Sequence, residues 1–275
     1  MPSYKLIVSD LDGTLLGSDM ELSGKNAEAI REISELGIEF AVSSGRTLYE
    51  IPDSVRKNPN IRYITYSNGT AVYDSAKGED IISNHITREA AGKIFDVVSD
   101  YDVLYTLHVS GNAHIDIKNT ADENFPYYQI NDYYKTLLLK SLRADGIEKL
   151  LLSTDGLEAV VLFFHDDREL EACRERLRLI PEITVTSSIG HNIELCSKKA
   201  GKGKALSELS LLLNIPKENV IAIGDNMNDV SMFSEAGLAL CAENGNAEAK
   251  RLADETVCSN DEDIANYVLN SYIKI

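Results

Sequence analysis

The stretch Lys5-Leu6-Ile7-Val8-Ser9-Asp10-Leu11-Asp12-Gly13-Thr14-Leu15-Leu16 constrains the rest of the chain more than any other. Leu6, Ile7 and Val8 form a β-branched, apolar run that reads as a strand buried on both faces, as in a parallel sheet. The run stops on a carboxylate. A second carboxylate follows two residues later, and Gly13 lets the chain leave through a tight turn. Two acids at the end of a buried strand repel and raise one another's pKa. Two readings are open at this point. A bound cation, or a reaction that needs two carboxylates in different protonation states, would explain the pair. Equally, Asp12-Gly13 is ordinary turn chemistry after a strand.

The next segments alternate helix and strand. Residues 26–36 carry Ala27, Ile30, Ile33 and Leu36 at helical spacing, with Gly37 as a stop. Residues 38–43 read as a second strand, ending in Ser44-Gly45-Arg46. Thr47-Leu48-Tyr49-Glu50 has the form of a capping box opening another helix, and 61–67 give a third strand. This is the grammar of an α/β fold, a Rossmann-like parallel sheet with helices on both faces. Ligands collect at the C-terminal ends of such strands, where Asp10 and Ser44 both stand. Asn68-Gly69 reads as a hairpin turn before 70–73, although Asn68 also lies past a strand end, within reach of a substrate.

From about Ser83 the alternation breaks. A helix over 87–98, strands over 103–108 and 114–117, a Tyr-rich passage (Tyr127, Tyr128, Tyr133, Tyr134), a strand over 158–164, a helix over 167–179 and a strand over 183–187 suggest an inserted α+β domain. Parallel-sheet grammar resumes at 192–196. Gly201-Lys202-Gly203-Lys204 opens a helix running to about Asn214. The buried strand 220–223 ends in Gly224-Asp225-Asn226-Met227-Asn228-Asp229. A helix, a strand over 238–240 and helices near 247–252 and 263–272 follow. The expected division is therefore 1–82 and 191–275 in the core, with 83–190 inserted.

The formal charge of −17 argues against a nucleic-acid partner and against anionic membrane surfaces. An anionic substrate would need local cations to reverse the field inside its site. No apolar run approaches transmembrane length, and the first residues lead straight into a strand with no signal peptide, so a cytoplasmic protein is the expectation. The four cysteines are scattered without a C-x-x-C pair and read as reduced core thiols. His85, His165 and His191 show no metal-ligand spacing.

Polar groups thus stand at four strand ends or helix starts: Asp10 with Asp12, Ser44, Lys202, and Asp225 with Asn228 and Asp229. Each has a plain alternative on its own. Ser44-Gly45 could be a turn, Lys202 a solvated lysine, and 225–229 a helix cap with first-turn acids. Four carboxylates meeting in one cleft would repel strongly unless a cation sat among them, and all-oxygen ligands suit Mg²⁺. Lys202 is the local positive charge an anionic substrate requires, with Arg46 available to add to it. The spacing of a nucleotide P-loop is absent.

In this order the pieces resemble the haloacid dehalogenase superfamily of phosphotransferases. Asp10-Leu11-Asp12-Gly13-Thr14-Leu15 is similar to its first motif, Ser44 to its second, Lys202 to its third and Gly224-Asp225-Asn226-Met227-Asn228-Asp229 to its fourth. An insertion between the second and third motifs resembles the Cof-like branch, whose α+β cap covers the site. Ser44-Gly45-Arg46, Asn68-Gly69 and Lys202-Gly203 resemble that branch too. The resemblance spans nearly the whole chain and is weakest in the cap. Ala242-Glu243-Asn244-Gly245-Asn246-Ala247 departs from it, since a shorter Met-Gly-Asn-Ala-like turn is expected there.

The resemblance implies a Mg²⁺-dependent phosphatase. Asp10 would attack phosphorus and become an aspartyl-phosphate. Asp12 would protonate the leaving alcohol and then activate water. The metal would be held by Asp10, the Asp12 backbone carbonyl and Asp225, with Asp229 orienting Lys202 or binding the metal through water. Ser44, Gly45, Arg46, Asn68, Lys202 and Asn228 would bind substrate. An acid at Asp12 favours phosphate esters of alcohols, such as sugar phosphates or similar small phosphorylated metabolites. Two alternatives stay open: a phosphomutase of the same superfamily, and a non-catalytic phospho-acceptor switch, against which the intact Asp12 and the large cap count. The cap would set substrate choice. Tyr127, Tyr128, His108 and His114 could touch substrate there, or simply pack within it. The expected state is a monomer or homodimer.

Overall fold

The computed structural model describes residues 4–187 and 191–274, apart from the side chain of Tyr133. Residues 1–3, 188–190 and Ile275, which fall within the expected domain ranges, lie outside the described residues. The chain divides into two compact units, Met1–Ser83 with Gly201–Ile275, and Asn84–Ala200. The first unit opens with strands β1 (Leu6–Ser9), β2 (Glu39–Ser43), β3 (Ile61–Tyr66), β4 (Ala71–Asp74) and β5 (Glu79–Ser83). The second holds β6 (Val103–Val109), β7 (Asn112–Asp116), β8 (Leu142–Ala144), β9 (Leu157–Phe164), β10 (Ile183–Thr186) and β11 (Asn192–Ser197). The first unit then closes with β12 (Val220–Gly224), β13 (Leu238–Cys241) and β14 (Glu255–Thr256).

In the first unit the strand order is β14-β13-β12-β1-β2-β3-β4-β5. The strands from β14 to β3 are mutually parallel, and β4 and β5 turn back antiparallel. β1 is fully buried, as its apolar run requires. Its alternating side chains enter two cores. Ile7 packs with Ile30 and Ile33 of the helix Gly24–Glu35 on one face, and Leu6 and Val8 pack with Ala205, Leu206 and Leu209 of the helix Lys202–Leu213 on the other. Ser23 caps the first of these helices by accepting from the Asn26 N–H, and Gly37 follows at φ 76°.

The expected helix after Thr47 is a single 3₁₀ turn, Leu48–Glu50, although the capping box itself is present. Pro52 follows too soon for the helix to propagate, and a short helix restarts at Asp53–Arg56. Asn68-Gly69 does sit in the turn between the antiparallel strands β3 and β4. The backbone there is unusual: Ser67, Asn68 and Gly69 all have positive φ, at 47°, 54° and 89°.

The second unit is a six-stranded sheet of order β10-β11-β9-β6-β7-β8, antiparallel except for the β7–β8 pair. One face carries the helices Arg88–Val98, Ile147–Ser153 and Asp167–Leu177 over a core of Leu107, Val160, Leu162 and Phe164. The other is covered by a smaller cluster around Phe125, Leu138 and Phe163. One sequence reading is corrected here. Residues 192–196 do not resume the parallel sheet; β11 pairs antiparallel with both β9 and β10, so the inserted unit extends to Ala200. Ile193 and Leu195 look alike in either sheet; what decides is that β9 and β10 offer open edges on both sides. No described helix is long and apolar enough to cross a membrane, and the cysteines are free thiols.

Candidate active site

β1 lies between β2 and β12, so the chain leaves its C-terminal end at the point where the strand order reverses. There the Asp10 N–H still bonds to the Ile223 carbonyl at 2.9 Å, and the chain then coils into a tight turn with Leu15 N–H on the Asp10 carbonyl at 3.3 Å. Gly13 makes the turn feasible. Its φ is 78°, and a Cβ there would lie 2.7 Å from Asp225 Oδ2. A side chain at this position would therefore meet both a left-handed backbone penalty and the carboxylate from β12.

The parallel pairing that sets β12 beside β1 brings the end of β12 to Asp10. Lys202, at the start of its helix, reaches back into the same place. Its Nζ lies 2.5 Å from Asp10 Oδ1 and 2.7 Å from Asp229 Oδ1, and all three groups are buried. Asp229 spends its other oxygen on the backbone N–H groups of Asp225 and Asn226, each at 3.0 Å. This brace explains Gly224, where a Cβ would fall 2.4 Å from that of Asp229. Carboxylate oxygens of Asp10, Asp225 and Asp229 lie within 4.8 Å of one another. Thr14 Oγ1 donates to Asp225 Oδ1 at 3.3 Å.

The electrostatics follow from this crowding. Burial pushes the Asp10 carboxyl up to about 8 despite the Lys202 ammonium, with Asp229 and Asp225 adding to the rise. Burial works against a charged Lys202, but Asp10 and Asp229 together outweigh it and hold the ammonium above the usual lysine value. Burial, then Asp229, pushes Asp225 up to about 6. One ammonium thus faces three carboxylates. A divalent cation would make up the difference, and an all-carboxylate donor set suits a hard ion such as Mg²⁺.

Asp12 is held apart from this cluster. Arg46 Nε donates to its Oδ2 at 2.9 Å and Arg46 Nη2 to its Oδ1 at 2.5 Å. Ser44 is fully buried at the end of β2, and its Oγ accepts from the Arg46 N–H at 3.2 Å. The Ser44 carbonyl receives the Asn68 N–H at 3.0 Å. Asn68 Oδ1 accepts from Asn228 Nδ2 at 3.3 Å, and a Cβ on Gly45 would stand 3.1 Å from the Asn68 amide. Two of the positive-φ residues, Ser67 and Asn68, are not glycine; such strain is retained where it aims a functional group. Two linked sets result: Asp10, Lys202, Asp225 and Asp229 in one, and Ser44, Gly45, Asn68 and Asn228 in the other. Arg46 and Asp12 form a pair beside them.

Sequence reasoning missed the residues that hold the Asp12–Leu16 turn. Asn244 Nδ2 donates to the Gly13 carbonyl at 2.8 Å, and Asn244 Oδ1 accepts from the Asn260 N–H at 2.9 Å. Asn260 Nδ2 then donates to the Leu16 carbonyl at 2.9 Å. The Asn246 N–H binds the Asp225 carbonyl at 2.7 Å. The signal lies in the loop 242–247, which holds Asn244 and Asn246 and departs from the family pattern. In the inserted unit, Tyr127 and Tyr128 are engaged by their own surroundings. Both hydroxyls donate to Asp102, at 2.8 and 2.7 Å, and Tyr127 stacks on His165 with ring centres 4.7 Å apart. His191 Nδ1 lies 2.9 Å from Asp167.

Comparison with known proteins agrees with this geometry. Residues 7–269 match the family model described as haloacid dehalogenase-like hydrolase. The phosphatase YwpJ of Bacillus subtilis is 29% identical over 277 residues, covering 94% of this chain and 96% of its own. The 5-amino-6-(5-phospho-D-ribitylamino)uracil phosphatase YwtE of the same organism is 27% identical over 285 residues, covering 98% of both chains. A solved haloacid dehalogenase-like hydrolase from Bacteroides thetaiotaomicron superposes with a TM-score of 0.81 at 28% identity, over 97% of this chain and 98% of that one. The chain belongs to the haloacid dehalogenase-like hydrolase family.

Proposed function

We propose that the protein is a Mg²⁺-dependent phosphatase that hydrolyses small phosphate monoesters through an aspartyl-phosphate on Asp10. The observation that carries this reading is the buried Asp10–Lys202–Asp229 chain at the end of β1, with Asp225 beside it. It offers an oxygen nucleophile, a fixed cation for phosphoryl oxygens and a carboxylate surplus that a divalent ion would balance.

In the first half-reaction an Asp10 oxygen attacks phosphorus as the bond to the ester oxygen breaks. The leaving alkoxide takes a proton from the Asp12 carboxyl group, giving an aspartyl-phosphate, a free alcohol and an Asp12 carboxylate. In the second, water attacks the same phosphorus and gives its proton to Asp12, which releases inorganic phosphate and restores Asp10. Lys202, together with the Ser44 hydroxyl and the amides of Asn68 and Asn228, would hold the non-bridging oxygens. Gly45 leaves room for Asn68. Asp10, Asp225 and the Asp12 backbone carbonyl would hold the metal, with Asp229 bracing Lys202 and the 225–226 backbone. Bound there, Mg²⁺ would supply the charge that returns Asp10 to its ionised, nucleophilic form and screens the phosphoryl group.

Sugar phosphates and related polyol phosphates are the substrate class we favour, with selection among them assigned to the inserted unit. The relative YwtE, named for a phosphorylated ribityl compound, supports that choice. The test is phosphate release from a panel of phosphorylated sugars, polyols and cofactors with Mg²⁺, with Asp10→Asn run in parallel. Release that disappears in the variant supports the reading, and the rate ranking names the substrate. No release from any ester would refute it.

A further inference from the structure

Arg46 is placed differently from the other substrate-binding candidates. Its Nε and Nη2 are both committed to the Asp12 carboxylate, and its Nη1 donates to the Glu50 carbonyl at 3.1 Å. That carbonyl belongs to the turn closed by the Thr47–Glu50 capping box, in which Glu50 Oε2 accepts from the Thr47 hydroxyl at 2.8 Å and the Thr47 N–H at 3.0 Å. The Arg46 backbone is tied as well, with its N–H on Ser44 Oγ and its carbonyl receiving the Ser67 N–H at 2.8 Å. The guanidinium is therefore oriented before any ligand arrives. Asp12, by contrast, is 41% exposed at its side chain and stands within the tight turn that leaves β1. A carboxylate so placed would sample several rotamers, and a planar two-point clasp fixes both its position and its plane.

We infer that Arg46 is a positioning residue for Asp12, aiming the carboxyl group that exchanges protons with the leaving oxygen and with water. The inference rests on the phosphatase reading above and refines it: the residue that resembles a substrate contact in the sequence acts through Asp12. Its role should matter most where the leaving group needs a proton. A nitrophenolate departs without one, whereas a phenolate of higher basicity, or an alkoxide, does not.

The experiment is kcat/KM for a series of substituted phenyl phosphates, from p-nitrophenyl to unsubstituted phenyl, which differ in leaving-group basicity and little in size. kcat/KM reports formation of the aspartyl-phosphate alone. Arg46→Met should lower it for phenyl phosphate by roughly 10–100-fold, a part of the usual worth of a general acid, and leave p-nitrophenyl phosphate nearly unchanged, so that the leaving-group dependence steepens. Arg46→Lys keeps the charge but not the fork and should restore little of that slope. In an Asp12→Asn background, Arg46→Met should add no further steepening. Equal loss across the series would overturn the inference, since a phosphoryl-binding or purely structural Arg46 would lower every ester alike. Steepening that persists without Asp12 would overturn it too. A wild-type enzyme that hydrolyses no ester would refute the phosphatase reading itself, and this refinement with it.

Discussion

Replacing Lys202 with methionine removes the one cation buried between Asp10 and Asp229, and the structure sets the scale of the result. Nζ lies 2.5 and 2.7 Å from the two carboxylates, and lysine and both acids are almost wholly inaccessible to water. Removing one member of such a buried pair costs about 3–5 kcal/mol, because the remaining charge is left without compensation. Spread over a domain of this size, at about 2–4 °C per kcal/mol, the melting transition should fall by roughly 6–20 °C. The sign of the pH dependence follows from Asp10, whose folded value near 8 lies above that of an ordinary aspartate. Its neutral form favours the folded state, so that contribution is whole below about pH 4 and is lost as pH rises through 8. Without the ammonium, which opposes that rise, Asp10 holds its proton more tightly still. The deficit of Lys202→Met should thus be smallest near pH 5 and grow toward pH 9 when melting is followed calorimetrically in chelator. A deficit under about 1 kcal/mol, or one that does not vary with pH, would refute the assignment of Lys202 as the charge that holds these acids together.

Three further outcomes follow. Chelating divalent metal should lower the melting temperature of the wild type, and Asp225→Asn should shrink that loss; an unchanged wild-type curve would count against the metal site. Gly13→Ala should cost about 1–2 kcal/mol from backbone strain and, by crowding Asp225 Oδ2, abolish the gain in melting temperature that added Mg²⁺ gives; a retained gain would show the turn to be more forgiving than argued. Asn244→Ala should cost about 1 kcal/mol for the lost hydrogen bond and weaken Mg²⁺ binding measured by titration calorimetry, because the Gly13 carbonyl, next to the Asp12–Gly13 peptide in the same turn, loses its anchor. Unaltered metal affinity would confine Asn244 to a structural role.

Much of the first unit is legible because its signals are local. Leu6–Ser9 and Val220–Gly224 are short, mostly apolar strands each followed directly by an acid, and that pattern belongs to buried parallel strands whatever surrounds them. The legible part of the site has the same origin: Asp10, Ser44, Lys202 and Asp225 stand where a strand ends or a helix begins, and topology alone then gathers them. What the sequence hides is set by partners distant along the chain. β11 has the composition of a core strand, and only the edges of β9 and β10 claim it for the inserted sheet. The helices Asn124–Tyr127, Asp132–Lys140 and Ile147–Ser153 are short and weakly patterned; the first two are held by Phe125 and Leu138 in the smaller cluster, and the third by Ile147 and Leu151 in the larger core on the other face. Arg46 stands beside Ser44 in the sequence, yet its partner is Asp12, and no spacing rule announces that pair. Asn244 likewise reaches Gly13 across most of the chain.

The most direct test of the central claim is to quench the enzyme in acid during steady turnover of its best phosphate ester and to look by mass spectrometry for a phosphoryl group. One phosphoryl group is expected on the peptide that contains Asp10, absent from Asp10→Asn and, with p-nitrophenyl phosphate, whose leaving group needs no proton, enriched when Asp12→Asn slows the hydrolysis step. Turnover with no modified peptide, or a phosphoryl group on a residue other than Asp10, would contradict that claim.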